Sequence, residues 1–479
     1  MMDKIDNRKR WLAFVVLCLG VLMIVLDTTI VNVALPAIKQ DLGFSNASLA
    51  WVVNAYLLTF GGFLLLGGRL GDIFGRRKLF LSGLALFTLA SLACGLSDSQ
   101  LVLVTARVIQ GIGGSIVSAV GLGLMMNMFT EPAERAKAMG FYGFVAAGGG
   151  SVGVLLGGTL TGLLDWHWIF FVNIPIGIAV FALGTFLLPS GRDESASRHI
   201  DIAGAVTVTG ALMLAIYAIV NGNTAGWASM QTIGLLAGSA TLIILFIRVE
   251  SRTKSPLVPL TLFKLRNLRT ANLIGVLWAA AMFAWFFLSA LYLQLVLGYS
   301  SLQVGLAFLP ATMLMAIFSL GISARLVMLF GIRKPLAVGL FLAAIGLLLF
   351  ATAPLSGNFL YNVLPSMILL GLGAGMAFNP MLLAAMSEVE PHESGLASGI
   401  VNTSFMMGGA LGLAILASIA SIQTSALLAS GVAALAALNS GYHVAFLAGA
   451  VFAALGATLG AVVLSKNIKT AHDRPHMGH

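Results

Sequence analysis

Two residues of opposite full charge stand inside long apolar runs: Asp27, in Val25-Leu26-Asp27-Thr28-Thr29-Ile30, and Arg107, in Val104-Thr105-Ala106-Arg107-Val108-Ile109. A charge held in hydrocarbon is costly, and such residues tend to mark ion pathways or proton relays. A carboxylate can take up and release a proton, and a guanidinium, which stays charged, can steady it through charge-assisted hydrogen bonds. The chemistry these residues offer is reversible protonation of Asp27 beside Arg107, with Gln110 one helical turn away to orient the pair. A fixed bridge holding two helices together uses the same residues and stays open as a second reading.

Other chemistries find no residues to carry them. The sequence contains no Gly-Lys pair, so no phosphate-cradling P-loop can be written and the energy for any work must come from a gradient. A membrane enzyme needs a nucleophile with its base, paired carboxylates or a metal cluster, and only one acid lies within an apolar run. Cys18 and Cys94 both fall inside such runs, where a thiol behaves as a small apolar group, so neither a disulfide nor a metal site is expected. No cofactor is expected.

The elements that must position Asp27 and Arg107 follow from composition. Of 479 residues 59% are apolar and 9% charged, against roughly 25% charged in a soluble domain. The solvent is lipid, and each crossing helix needs about 20 apolar residues to span about 30 Å. Spans are predicted near 11 to 36, 49 to 71, 79 to 97, 101 to 129, 136 to 163 and 168 to 188. After the polar stretch Pro189 to Ile200 come two more, near 202 to 221 and 231 to 249, then a basic segment to Thr270. The last six lie near 271 to 297, 301 to 324, 335 to 353, 360 to 386, 394 to 424 and 440 to 465. The expectation is an all-α membrane protein of fourteen transmembrane helices.

Basic residues in short loops stay on the cytoplasmic side. With the N-terminus inside, the map places 24 of the 26 Lys and Arg residues in cytoplasmic segments or at the cytoplasmic ends of spans, leaving Lys39 outside and Arg107 well within a span. Both termini are thus expected in the cytoplasm. The net charge of +9 belongs to these inner loops and faces anionic lipid heads, so a nucleic-acid role is not expected. The basic start and first apolar run resemble a secretory signal, but the run is too long and lacks a cleavage site, so it is read as the first span.

The chain repeats itself. Phe74-Gly75-Arg76-Arg77-Lys78 returns as Phe330-Gly331-Ile332-Arg333-Lys334, and Gly111-Ile112-Gly113-Gly114 as Gly371-Leu372-Gly373-Ala374-Gly375. Gly157-Gly158 answers to Gly408-Gly409. Spans 2, 4 and 5 therefore correspond to spans 10, 12 and 13, giving two six-helix bundles, residues 1–188 and 271–479, with residues 189–270 supplying two inserted helices. Matched halves that rock about a shared site give alternating access, the motion of a secondary transporter.

Gly67-Gly68-Arg69-Leu70-Gly71-Asp72-Ile73-Phe74-Gly75-Arg76-Arg77-Lys78 and Arg107-Val108-Ile109-Gln110-Gly111 resemble motifs of the major facilitator superfamily. Leu26-Asp27-Thr28-Thr29-Ile30-Val31-Asn32-Val33-Ala34-Leu35-Pro36 and Trp166-His167-Trp168-Ile169-Phe170-Phe171-Val172-Asn173-Ile174-Pro175-Ile176-Gly177 are similar to its fourteen-helix drug:proton antiporters, as is Ser394-Gly395-Leu396-Ala397-Ser398-Gly399 with Asn402-Thr403-Ser404. The resemblance implies that spans 1 and 4 face one cavity, so that Asp27 and Arg107 meet and couple transport to the proton gradient. It implies that Asp72, with Gly71 and Gly75 permitting a tight turn, latches the inner gate, Arg76 and Arg77 serving as partners or as topology determinants. Gly149, Gly153, Gly157 and Gly158 resemble the exporters' helix 5 motif and give a smooth face for sliding. Val154 replaces the motif's usual proline, and Phe405 stands where many relatives carry a polar or basic residue.

The implied function is proton-driven export of lipophilic, cationic drugs by a monomer in the inner membrane of a bacterium, its partners being the small substrate, protons and membrane lipid. An exporter of an endogenous lipid or metabolite, or a non-transporting membrane sensor, would use the same scaffold. Asn54, Tyr56, Gln110, Trp285, Phe286, Met313, Asn379, Asn402, Phe405 and Met406 are the polar, aromatic or adaptable groups expected to line a central cavity. Glu388, Glu390 and Glu393 are read as a solvated inner cluster, and His167 and His443 as outer-loop residues.

Overall fold

The computed structural model describes residues 7–45, 48–129, 131–189, 201–253, 256, 258–389 and 394–464, and every regular element among them is helical. In hydrocarbon a backbone N–H can be satisfied only within its own segment or by a closed barrel, and continuous apolar runs of this length settle on the helix. The spans are α1 (Asn7–Leu42), α2 (Trp51–Phe74), α3 (Arg76–Gly95), α4 (Gln100–Met128), α5 (Pro132–Leu163), α6 (Trp168–Leu187), α7 (Ile202–Ala225), α8 (Met230–Arg252) and α9 (Arg266–Val296). After them come α10, built of Ser301–Ile317, the π-turn Phe318–Ile322 and Ser323–Phe330, then α11 (Arg333–Phe350), α12 (Phe359–Met386), α13 (Ser394–Ala429) and α14 (Ala434–Val462).

Each predicted span thus coincides with a helix. Twelve are long and apolar enough to cross a membrane, and α5 and α10 hold shorter apolar stretches, Val152–Leu163 and Ser301–Ile317, so the described chain is compatible with twelve to fourteen crossings. Two ends differ from expectation. Helix α10 runs to Phe330 because its backbone kinks at Gly321 and resumes, and α14 begins at Ala434, so His443 lies within a helix rather than a loop.

Neighbour relations repeat between the first six and the last six helices. Helix α4 packs on α2 and α3 as α12 packs on α10 and α11. Helix α1 packs on α5 and α6 as α9 packs on α13 and α14, and α6 lies on α3 as α14 lies on α11. Gly75 and Gly331, at equivalent positions of the repeat, turn the chain out of α2 and α10 with φ of 97° and 75°, the left-handed region that a Cβ disfavours.

Two seams join the sets, α5 against α10 and α2 against α13. Small residues let the backbones approach: a Cβ on Gly158 would come 2.6 Å from the Ser301 carbonyl oxygen, and one on Gly61 3.0 Å from Met406 Cβ. At the loop end shared by residues 43–50 and 297–300, Gln294 Nε2 on α9 donates to the Val33 carbonyl of α1 at 2.8 Å. The inserted α7 packs on α8, α2 and α13. It is pinned by Ser418 Oγ donating to the Ile219 carbonyl at 3.0 Å and by Trp51 against Tyr217.

Candidate functional site: a buried charge network

Asp27 is fully buried and Arg107 is 1% exposed. Their Oδ2 and Nη1 atoms lie 2.5 Å apart, joining α1 to α4. What seats the guanidinium at this depth is the glycine run of α4. A Cβ on Gly113 would come 2.6 Å from the backbone nitrogen of Phe87 on α3, so α4 lies close against its neighbours and its side chains are taken out of lipid.

The pair has a complete shell. Gln110 Nε2 donates to Asp27 Oδ1 at 2.8 Å, and Asn173 Nδ2 of α6 reaches the same oxygen at 3.2 Å. Asn173 also donates to Ser91 Oγ at 3.0 Å, which itself donates to the Phe170 carbonyl at 2.9 Å. On the other side Arg107 donates from Nη1 to Gln110 Oε1 at 2.8 Å and from Nε to the Val52 carbonyl at 3.0 Å. Its guanidinium carbon stands 4.4 Å from the Tyr56 ring centre and 5.8 Å from that of Phe170. Three side-chain donors reach the Asp27 carboxylate, the partners an ionised acid requires.

The network gathers Asp27, Arg107, Gln110 and Tyr56 from the predicted residues, with Gln110 and Tyr56 in contact with the charge pair inside the first six helices. The remaining cavity candidates scatter. Trp285 and Phe286 are buried against Phe308 of α10, and Phe405 against Phe283 and Phe378. Met406 abuts Gly61 at the α2–α13 seam. Asn379 donates to the Ser319 carbonyl at 3.2 Å and Asn402 to the Ser398 carbonyl at 3.1 Å. Asn54 is buried with neither end of its amide partnered among the described residues. Met313, at 54% exposure, faces away from the protein interior, because an unbranched apolar side chain on the outer side of α10 is as stable in lipid as in a core.

Around the α2–α3 turn, Gly71 and Gly75 occupy the helix end and the turn, while the side chain of Asp72 lies outside the described residues. Arg76 Nη1 donates to the Gly123 carbonyl at 3.0 Å and Arg77 Nη2 donates to the Thr185 carbonyl, tying α3 to α4 and α6. Gly149, Gly153 and Gly157 face Leu22, Val25, Leu26 and Ile30 of α1, whereas Gly158 faces Ser301 of α10. One residue is 100° of helix rotation, so adjacent glycines serve two different partners. Glu388 is tied down, accepting from the Asn267 backbone at 2.9 Å; Glu390 and Glu393 lie outside the described residues. His443 Nε2 is 2.7 Å from the Ala353 carbonyl, and His167 Nδ1 2.9 Å from Asp165.

Sequence reasoning assigned no role to Asn173 and Ser91, and it read Cys94 as apolar, although Cys94 Sγ lies 3.5 Å from Gln110 Oε1. Asn173 sits in a quoted motif, and an amide in the first turns of an apolar span was the available signal.

With this geometry in place, the chain can be set beside known proteins. It is 39% identical over 423 residues to a puromycin resistance protein of Streptomyces alboniger, covering 88% of this chain and 84% of that protein. It is 38% identical to a cephamycin export protein of Amycolatopsis lactamdurans, covering 86% and 85%. A tetracenomycin C resistance and export protein of Streptomyces glaucescens is 34% identical, covering 85% and 75%. Among solved structures the POT-family transporter PepTSo superposes with a TM-score of 0.67 at 14% identity, covering 95% of this chain and 98% of that one. The Escherichia coli xylose transporter XylE gives 0.61 at 16%, covering 94% and 97%. These two show the fold alone. Residues 17–413 match the Major Facilitator Superfamily, and the chain is a multi-pass membrane transporter belonging to that family.

Proposed function

We propose that the protein exports small lipophilic, cationic drug-like compounds across a bacterial cell membrane, driven by proton import. Relatives that cover more than four fifths of this chain are named for antibiotic resistance and export. The observation that carries the proton-coupled reading is the construction of the Asp27–Arg107 pair. Neutralising the carboxylate of a buried ion pair ordinarily leaves its cation stranded, at a cost of about 3–5 kcal/mol. Here Arg107 keeps the Val52 carbonyl, Gln110 Oε1 and the Tyr56 face, so the carboxylate can be neutralised without losing every partner of the guanidinium.

In the proposed cycle Asp27 takes a proton from outside and its hold on Arg107 slackens. The two halves then rock along the glycine seams and the proton leaves inward. Both termini lie in the cytoplasm on this reading. The test is ethidium efflux from proteoliposomes under an imposed proton gradient, comparing wild type with Asp27→Asn. Wild-type efflux that stops on gradient collapse, and is lost in the variant, is expected. A variant with unchanged proton dependence would return Asp27 to a purely structural role.

A further inference from the structure

One cleft is lined by residues of the first six helices alone. It lies at the loop end of the first six helices, about 410 Å³ in volume, and is lined by Asp41, Leu42, Gly95, Leu96, Ser97, Asp98 and His167. We propose that this cleft is a proton port, feeding Asp27 through the amino-terminal half alone and apart from the substrate's route between the halves. The proposal rests on the proton-coupled reading above.

The lining is acidic and fixed. Asp41 accepts from Trp166 Nε1 at 2.9 Å, and Asp165 holds the His167 ring at 2.9 Å. The titratable groups lining the cleft come from three elements: Asp41 from α1, Asp98 from the α3–α4 turn, and His167, held by Asp165, from the α5–α6 turn. No Lys or Arg is among its lining residues. Such a surface raises the local proton concentration through its field.

The floor leads to the carboxylate. Ser97 lines the cleft yet is nearly inaccessible, and one turn deeper Cys94 lies 3.5 Å from Gln110, which donates to Asp27 at 2.8 Å. Ser97, Cys94, Gln110 and Asp27 are thus linked in series by hydrogen bonds. Beside them Asn173 is fully buried, and its Oδ1 has no donor among the described residues while its Nδ2 bonds Asp27 and Ser91. A buried acceptor next to a carboxylate suits water or hydronium, since an unmet acceptor otherwise costs about 1–3 kcal/mol. At this same end the halves touch through Gln294 with Val33 and through Gly158 with Ser301. The transfer is balanced simply: a hydronium in the cleft yields its proton, carried by water past Ser97, to the Asp27 carboxylate, and a neutral carboxylic acid and water result.

Leu96 lines the cleft and is exposed, whereas the native Cys18 and Cys94 are buried. In Leu96→Cys protein reconstituted in proteoliposomes, a trimethylammonium-bearing methanethiosulfonate should slow proton-driven ethidium efflux roughly tenfold at low salt, and less at high salt. A sulfonate-bearing reagent of similar size should not slow it. Equal slowing by both reagents, or by neither, overturns the port. Asp98→Asn with His167→Gln should reduce proton uptake, read by a lumenal pH dye, with ethidium binding unchanged; unchanged uptake overturns it as well. If wild type itself moves no protons with ethidium, the proton-driven reading falls and the port with it. A coupled wild type with indifferent cleft variants removes the port alone.

Discussion

The two six-helix sets share neighbour relations but not chemistry. On α4, Arg107 and Gln110 are buried in a polar network; at the equivalent places on α12 stand Met367 and Leu370, equally buried and apolar. Helix α9, the counterpart of α1, carries Trp278, Phe283, Trp285, Phe286 and Phe287 where α1 carries Asp27, Thr28, Thr29 and Asn32. One backbone arrangement therefore supports either a charge relay or an aromatic core, depending on whether a few side chains can satisfy each other. Charge placed in one set alone lets a proton change the energy of one bundle relative to a partner that does not titrate.

The contrast can be broken from either side. Arg107→Met makes α4 resemble α12 and leaves Asp27 buried without its cation, a loss of about 3–5 kcal/mol. A strongly lowered melting temperature in detergent is expected, with Asp27→Asn on the same background recovering stability but not gradient-driven efflux. The reverse change, Met367→Arg, puts an unpaired charge into the apolar core of α12 and should cost several kcal/mol, read as poor folding in the same assay. If Met367→Arg were tolerated, the second half would possess partners that its described residues do not show.

A smaller effect separates the two seams. Gly158→Ala pushes a methyl against backbone, 2.6 Å from the Ser301 oxygen, whereas Gly61→Ala meets the Met406 and Met407 side chains at 3.0 and 3.2 Å and backbone only at 3.3 Å, the Thr403 oxygen. Side chains yield more readily than backbone, so Gly158→Ala should cost about 1–3 kcal/mol and slow efflux more than Gly61→Ala, with ethidium binding retained in both. Smallest of all, Met313→Ala on the exposed side of α10 should alter stability by no more than about 0.5 kcal/mol.

The helices and their repeat were legible because apolar length, glycine turns and basic loops are local signals. The Asp27–Arg107 contact was legible through the resemblance to the superfamily, which put spans 1 and 4 on one cavity, and a rise of about 1.5 Å per residue, which puts both residues at similar depth, agrees with it. Asn173 and Ser91 were not. A neutral polar residue in a span can equally bond its own helix, as Thr28 does with the Ile24 carbonyl and Ser289 with that of Trp285, and only packing between α3 and α6 tells the cases apart. The glycines of α5 were pooled onto one face because spacing alone does not reveal that Gly157 and Gly158 answer to different helices. The expected cavity residues are dispersed in the structure, and the sequence could not sort them because methionine and aromatic groups suit lipid, core and pocket alike.

The inserted α7 has one more consequence. It lies along the α2–α13 seam and packs on both helices, whereas α1, which touches both helices of the α5–α10 seam, packs chiefly on α5. Leu302 and Leu306 of α10 are exposed beside the α5–α10 seam. A hydrophobic inhibitor dissolved in the bilayer thus meets two doors of unequal accessibility, one shuttered by a resident helix and one open to the acyl chains. A wedge shaped for the open one could jam the rocking motion without competing for the substrate.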